Sequence, residues 1–174
     1  KHIKNWQWIV DKNNKFNCSI SNLSDDISLL AIQGPKAELF CQNFSSDNLS
    51  EIKNYSFIIG EFAGCEDIII SKTGYTGSGG YEIYIPNNKA LKVWDALFSN
   101  KEYDLKPIGL AARDTLRIEM GYCLYGNDIN EKTSPIEANL KWITKVETNF
   151  IGSNIIKAET VSYTHLTLPT NGEV

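Results

Sequence analysis

The first segment that could perform ligand chemistry is a glycine-rich stretch, residues 73–82, which ends at Glu82. Four glycines could cradle a phosphate, but the pattern matches neither common phosphate-binding motif. It also leads into a strand, whereas phosphate usually binds at a helix N-terminus. A hairpin loop whose glycines permit positive φ explains the glycines more simply. That interpretation leaves the carboxylate of Glu82 unexplained.

Glu82 lies in a strand-like stretch that Pro86 ends. Side chains alternate along a strand, so Glu82 and Tyr84 should share one face, with Tyr81, Ile83 and Ile85 on the other. Two interpretations remain open. Glu82 is either an ordinary outward-facing charge, or it lines a cavity where its carboxylate accepts two parallel N–H bonds. A pterin ring presents such a donor pair, and desolvation would strengthen these charge-assisted bonds.

The second segment, residues 109–121, carries Arg113 and Arg117 four residues apart, which makes them neighbours on one helix face. Two adjacent guanidiniums repel each other unless an anion joins them. The anion could be local, in a surface ion-pair lattice with Asp114 and Glu119, or it could be a ligand carboxylate. The many apolar residues of the segment predict a largely buried helix, in which Arg113 would need a buried partner.

The elements that position these segments follow from the hydrophobic pattern. Residues 29–32 predict a buried strand, and Pro35 suits the first turn of a helix after it. Residues 55–59 and 67–71 predict two further strands, separated by residues 60–64. One face of the first helix should be apolar, and its residues are Ala37, Phe40, Cys41 and Phe44.

Two more helices are predicted, one after Pro86 and one over residues 110–120. Asn87 or Asn88 could cap the first of them, and Gly121 should close the second as a left-handed cap. The first should bury a stripe formed by Leu91, Trp94, Leu97 and Phe98. Strands in hairpin-like succession with helices between them favour an α+β fold with antiparallel sheets.

Composition narrows the class of protein. The chain has 174 residues and a net charge of −4, so it lacks the basic excess that a nucleic-acid partner requires. No apolar run approaches the length of about 18 residues that spans a membrane, and no secretory signal opens the chain.

Four scattered cysteines predict reduced, mostly buried thiols. The two histidines, His2 and His165, give no spacing for a metal cluster.

Both segments resemble signatures of one family, the aminomethyltransferases (T-proteins) of the glycine cleavage system. Residues 74–83 (GYTGSGGYEI) resemble its glycine-rich signature, and residues 109–119 (GLAARDTLRIE) resemble its Ala-Arg-Asp helix. Four other blocks follow the family's order, namely residues 32–35 (IQGP), 125–129 (YGNDI), 134–138 (SPIEA) and 150–152 (FIG). The resemblance extends from residue 1 to about residue 158.

The resemblance implies an α+β fold of three lobes, of which two are represented here. Residues 25–126 would form the folate-site lobe. Residues 1–24 and 127–160 would form a second, discontinuous, ferredoxin-like lobe, and the C-terminal barrel would be missing. By the same resemblance Glu82 holds the pterin ring, Arg113 belongs to the folate site and Tyr75 lines the pocket. Tyr122 matches a position where some members place another pocket aromatic residue.

The implied activity is the transfer of a methylene group to tetrahydrofolate, the co-substrate, with release of ammonia from the aminomethyl-dihydrolipoyl arm of H-protein. The family's catalytic Asp matches a position upstream of residue 1, so we expect this fragment to bind folate weakly and to be inactive. The first residue should not be the natural start. Residues 161–174 match no family sequence and are expected to be non-native. The expected compartment is the cytoplasm, or the mitochondrial matrix in a eukaryote.

Three other classes stay open. Folate-binding domains of dimethylglycine or sarcosine dehydrogenases carry similar signatures, although the blocks at residues 125–129 and 134–138 favour a T-protein. A non-catalytic folate-binding module of iron–sulfur repair would carry a Lys-Gly-Cys-Tyr-type motif, which the sequence lacks. An interaction domain without a ligand would require Glu82 and Arg113 to be solvated.

Overall fold

The computed structural model describes residues 2–166, and the chain divides into two compact units between Leu116 and Arg117. The assignment of residues 1–24 and 127–160 to one discontinuous lobe stays a prediction. The expected non-native tail, residues 161–174, also stays a prediction, because residues 167–174 and the side chains of residues 161–166 lie outside the described part of the chain.

The first unit is built around a four-stranded antiparallel sheet in the order β1-β4-β3-β2. This arrangement of helices and an antiparallel sheet confirms the predicted α+β class. Its elements are α1 (His2–Asn13), β1 (Ile27–Gln33), α2 (Ala37–Gln42), a short 3-10 helix (Leu49–Glu51), β2 (Phe57–Phe62), β3 (Cys65–Ser71), β4 (Gly80–Pro86), α3 (Asn87–Ser99) and most of α4 (Leu110–Glu119).

The central strand β4 alternates as its sequence predicts. Tyr81, Ile83 and Ile85 are fully buried, whereas Glu82 and Tyr84 are half-buried on the opposite face. The buried face packs against α2 and α3 and forms the core of the unit. The Tyr81 hydroxyl donates to the Leu49 carbonyl oxygen at 2.8 Å, so the one polar atom of this core side chain is satisfied.

The β2–β3 hairpin is tighter than the sequence suggests, because the expected connection at residues 60–64 is mostly strand. The turn consists of Ala63 and Gly64 alone, with φ of 53° and 70°. Two successive positive φ angles are typical of the hairpin turns whose twist matches that of paired strands. Gly60 belongs to β2, where a Cβ atom would lie 2.2 Å from a carboxylate oxygen of Asp47.

Helix α2 begins at Ala37, two residues after Pro35, so the proline precedes the helix rather than opening it. Three residues of the predicted face, Ala37, Phe40 and Cys41, are buried, whereas Phe44 lies beyond the end of α2 and is half-buried. The Phe40 ring contacts the Phe44 ring edge-on, with centroids 5.1 Å apart.

The predicted stripe of α3 is wrong in two of its four members. Val93 and Leu97 are buried, whereas Leu91 is 70% exposed and Trp94 is 41% exposed. The Trp94 ring packs on the Phe98 ring along the outer side of the helix, with centroids 4.6 Å apart. The predicted asparagine cap is also absent, because Asn87 is already helical and the capping position is Pro86.

The second unit begins within the last turn of α4, which Gly121 closes with a φ of 70° as predicted. It continues with a 3-10 helix (Lys141–Ile143) and α5 (Ser153–Leu166). None of the helices within residues 2–166 combines the length and the apolar composition that a bilayer crossing requires.

Candidate functional site

The sheet face opposite the core carries Glu82. In the strand register Glu82 lies between Ala31 of β1 and Ser71 of β3, so these three residues form one row across the sheet. Apolar side chains extend this face, and Phe57 and Ile59 of β2 are both more than 60% exposed. The face therefore places the Glu82 carboxylate beside apolar side chains, a composition that suits a flat heterocyclic ligand.

The carboxylate of Glu82 is held by a short chain of hydroxyl groups. The Thr73 hydroxyl donates to Glu82 Oε2. Since this donation uses the only proton of that hydroxyl, the Ser71 hydroxyl must donate to Thr73 Oγ1, 3.0 Å away. The other carboxylate oxygen, Oε1, accepts no hydrogen bond from the described residues. One oxygen is thus fixed by the protein and the other is open to a donor from a ligand.

The charge of Glu82 also acts on Tyr84, its neighbour on the same face. Burial raises the pKa of the Tyr84 phenol, and the Glu82 carboxylate raises that pKa further. A negative charge disfavours a second one nearby, so Tyr84 stays neutral and can serve as a hydrogen-bond donor. The face thereby offers both an acceptor and a donor.

The glycine loop, residues 72–79, joins β3 to β4 and carries Tyr75. Gly77 and Gly79 have φ of 70° and 77°, as the interpretation of a hairpin loop predicts. The guanidinium carbon of Arg113 lies 4.6 Å from the centroid of the Tyr75 ring. The structure therefore brings two of the four predicted site residues into a cation–π contact.

The predicted burial of α4 is wrong. Arg113 is exposed on one side of its guanidinium and stacked on Tyr75 on the other, whereas Arg117 is the buried arginine at 3% exposure. Most apolar residues of the segment are exposed, including Leu110 at 81% and Ile118 at 58%. Apolar composition alone does not bury a helix unless its apolar residues share one face.

Arg117 forms an ion pair with Asp128 within the second unit. Its Nη1 also lies 3.1 Å from the carbonyl oxygen of Tyr122, and Asp128 accepts a bond from the Leu124 backbone N–H at 2.8 Å. These bonds hold the turn that follows Gly121. The sequence suggests Asp114 and Glu119 as local acids near the two arginines. In the structure, Asp128 is an acidic partner of Arg117, eleven residues further along the chain.

We expect the stability of the chain to fall in acid through Asp128. The Leu124 N–H, and after it the Arg117 guanidinium, hold the pKa of Asp128 below its ordinary value. A lowered pKa contributes stability that is present above the unfolded-state pKa of about 3.9 and is lost as pH falls through the folded-state pKa. Melting temperatures measured between about pH 6 and pH 2.5 should therefore decrease less in Asp128→Asn than in the parent chain.

The matched control is Asp104→Asn, which removes an exposed ion pair with Lys106 at 2.9 Å. Exposed ion pairs contribute little to stability, so this variant should keep the acid dependence of the parent chain. Equal flattening of the acid dependence in both variants would contradict the role assigned to Asp128.

Tyr122 belongs to the second unit and follows Gly121 directly. Its backbone N–H donates to the Arg117 carbonyl oxygen at 2.8 Å, so its main chain is fixed on both sides. The other three predicted residues, Tyr75, Glu82 and Arg113, belong to the first unit. A shared pocket for all four stays a prediction.

The four cysteines differ in burial. All four lie within the described residues and none is in a disulfide; Cys41 and Cys65 are buried and Cys18 is exposed. Burial raises the pKa of Cys41 to about 12, so its reactive thiolate form is scarce at neutral pH. Within the part of the chain that the structure describes, no group of three or more His, Cys, Asp and Glu residues is placed to hold a metal.

Two contributors to the site were not identified from the sequence. Thr73 positions the Glu82 carboxylate, and Gln33 contacts the glycine loop through its side-chain amide. The structure, and not the local sequence, reveals the contact of Gln33 with the glycine loop. Gly74 has no positive φ, which indicates that its lack of a side chain serves a close approach of another group.

The chain is similar to known proteins over most of its length. Residues 1–148 match the model of the family described as the GCVT N-terminal domain. An aminomethyltransferase of Flavobacterium psychrophilum is 54% identical over 157 residues, which cover 90% of this chain and 43% of that protein. An aminomethyltransferase of Bacteroides fragilis is 52% identical over 143 residues, 82% of this chain and 39% of that protein.

A solved structure is similar as well. The crystal structure of glycine cleavage system aminomethyltransferase T from Bartonella henselae superimposes with a TM-score of 0.59 at 36% sequence identity. The match covers 68% of this chain and 31% of that one. The chain thus spans less than half the length of each of these proteins.

Proposed function

Because this chain belongs to the family of the GCVT N-terminal domain, we propose that it is part of a tetrahydrofolate-dependent aminomethyltransferase of the glycine cleavage system. The observation that carries the proposal beyond family membership is the sheet face on which one carboxylate, Glu82, is fixed by Thr73 within apolar surroundings. Such a face suits a pterin ring, a flat heterocycle that can stack on apolar side chains and carries N–H donors along one edge.

The proposed reaction moves one carbon between two carriers. The aminomethyl group is bound through sulfur to the dihydrolipoyl arm of H-protein. Two folate amines bond to its carbon in turn, and they replace the amino group, which leaves as ammonia, and the sulfur, which leaves as the regenerated thiol. The two amine protons pass to these leaving groups, and methylene-tetrahydrofolate forms. Such a transfer depends on holding the two reactants in line and on stabilising positive charge as it develops.

Glu82 is proposed to bind the pterin. Its free oxygen would accept a hydrogen bond from the 2-amino group, and the oxygen held by Thr73 would accept one from the adjacent ring nitrogen. A carboxylate oxygen has two lone-pair sites, so Thr73 and a ligand can share it. The assignment is supported by the partial burial of Glu82, because desolvation strengthens charge-assisted hydrogen bonds.

Arg113, Tyr75 and Tyr122 are proposed to complete the folate site. The guanidinium of Arg113, exposed on the side away from Tyr75, could pair with a carboxylate of the folate tail. The Tyr75 ring limits the positions that the guanidinium can take, and it would also line the pocket. Tyr122 is assigned by its sequence position after α4.

The proposal extends to the whole protein of which these residues are a part. Its partner would be lipoylated H-protein, and its catalytic carboxylate would be an Asp that matches a position before residue 1. The chain by itself should therefore bind folate weakly and lack aminomethyl transfer activity. The proposed compartment is the cytoplasm, or the mitochondrial matrix for a eukaryotic source.

The folate-binding domain of a dimethylglycine or sarcosine dehydrogenase is the second candidate, and a non-catalytic folate module is the third. All three would use Glu82 in a similar way. The names of the relatives at 52–54% identity favour the aminomethyltransferase.

A titration of the purified chain with 5-formyltetrahydrofolate, a stable analogue, tests the proposal by calorimetry. We expect saturable binding that is competed by tetrahydrofolate and not by a mononucleotide. Binding of the nucleotide with equal strength would favour the phosphate-loop interpretation, and the absence of folate binding would contradict the proposal for this chain.

A further inference from the structure

Gln33, the last residue of β1, lies at the base of the glycine loop. Its Nε2 is 3.2 Å from the carbonyl oxygen of Thr73 and 3.2 Å from that of Tyr81, residues near the two ends of the loop. Its Oε1 accepts a hydrogen bond from the Thr76 hydroxyl at 3.2 Å. One side-chain amide therefore joins both ends of the loop and its middle.

The glycines of this region leave room for that amide. A Cβ atom on Gly74 would lie 1.8 Å from Gln33 Oε1, and a Cβ atom on Gly80 would lie 2.2 Å from the Ile32 carbonyl oxygen. Both distances are far below contact distance, so neither position accepts a side chain unless its neighbour moves. The Gly34 N–H also donates to the Gly79 carbonyl oxygen at 3.1 Å, which fastens the loop to the residue after Gln33.

The contacts of Gln33 lead to two proposed ligand-binding residues. Thr73 accepts a bond from Gln33 through its carbonyl group and donates to Glu82 through its hydroxyl. Tyr75 follows two residues later and stacks against Arg113. An amide that fixes the backbone at residue 73 thus constrains both the carboxylate of Glu82 and the ring of Tyr75.

We propose that Gln33 is a positioning residue of the folate site, which fixes the glycine loop so that Glu82 and Tyr75 are held in place before the ligand binds. This inference rests on the proposed function for the identity of the ligand. Preorganisation of this kind strengthens binding because the loop need not be ordered when the ligand arrives.

The test compares Gln33→Ala with Gln42→Ala. Gln42 provides a matched control, because its amide donates to the carbonyl oxygens of Ser45 and Asp47 and accepts from the Leu49 N–H, away from the loop. At a temperature where both variants are fully folded, Gln33→Ala should bind 5-formyltetrahydrofolate about tenfold more weakly than the parent chain. Gln42→Ala should keep the parent affinity even if it loses as much stability.

A second readout does not depend on the ligand. Amide hydrogen exchange in the glycine loop should be faster in Gln33→Ala and unchanged in Gln42→Ala. If the parent chain binds no folate, the proposed function fails for this chain, whereas the exchange comparison still decides whether Gln33 orders the loop. Parent-like loop exchange in Gln33→Ala, or an equal loss of affinity in Gln42→Ala, would overturn the inference.

Gly74→Ala supplies an independent check. Its new methyl group should displace the Gln33 amide, so the variant should show the same loss of affinity and the same faster loop exchange. In a double variant that combines Gly74→Ala with Gln33→Ala, Gly74→Ala should change affinity and loop exchange little further, because the Gln33 amide is already absent. Additive losses in the double variant would show that Gly74 acts independently of Gln33 and would contradict the mechanism.

Discussion

Replacing Glu82 by Gln should weaken the binding of 5-formyltetrahydrofolate by about 10-fold to 100-fold. The substitution keeps the shape of the side chain and an oxygen for the Thr73 hydroxyl, but it removes the negative charge. A hydrogen bond to a charged group contributes about 1.5–3 kcal/mol, and about 1.4 kcal/mol corresponds to a tenfold change in affinity. Calorimetric titration of both chains measures the difference.

Glu66→Gln is the control for this substitution, because Glu66 is an exposed glutamate of the same sheet, on β3. It should bind the ligand as the parent chain does. An equal loss of affinity in the two variants would mean that the net charge of the chain matters rather than the position of Glu82. Parent-like affinity in Glu82→Gln would exclude Glu82 from the site.

The largest effect on stability should come from Ile83→Ala in the centre of the sheet. Ile83 is fully buried, on a central strand between β1 and β3. Truncating a buried isoleucine loses its transfer free energy and leaves a cavity, which together cost about 2–5 kcal/mol. Urea unfolding followed by circular dichroism should show this loss in the free energy of unfolding.

Ile59→Ala is the matched control, with the same residue change on the opposite face of the same sheet. Ile59 is 63% exposed, so its truncation should cost less than about 1 kcal/mol. If Ile83→Ala and Ile59→Ala lowered the free energy of unfolding by the same amount, the two faces of the sheet would not differ in burial.

Strand β4 and the end of α4 could be predicted from the sequence because local rules determine them. In β4 the two-residue period and Pro86 give both the faces and the end of the strand. At the end of α4, Gly121 adopts the left-handed conformation that closes a helix. The candidate residue Glu82 could be identified for the same reason, as a carboxylate that interrupts an apolar pattern.

The buried face of α3 could not be chosen in this way. Its sequence supports two apolar sets that share Leu97, the predicted one with Leu91 and Trp94 and the observed one with Val93. Helical periodicity does not show which of the two sets is buried. The position of the sheet decides that.

The contacts of Gln33 were inaccessible for a different reason. They join residues 40 and 48 positions apart in the sequence, and they depend on the pairing of β1 with β4. Nothing within a window of local sequence indicates that pairing. The pairing of Arg117 with Asp128 likewise depends on the turn that brings the two side chains together.

The strand order has a consequence for how the chain folds. Strands β2, β3 and β4 pair with their sequence neighbours, whereas β1 must reach β4 across the whole hairpin region. Closing that long loop costs more entropy than forming the local hairpins, so the pairing of β1 should come late on the folding pathway. Gln33 and Gly34 arrive with β1, and the glycine loop acquires its final shape only then. A nascent or partly folded chain would therefore carry Glu82 and Arg113 without a finished binding site. Ligand binding would then indicate that the chain has completed folding.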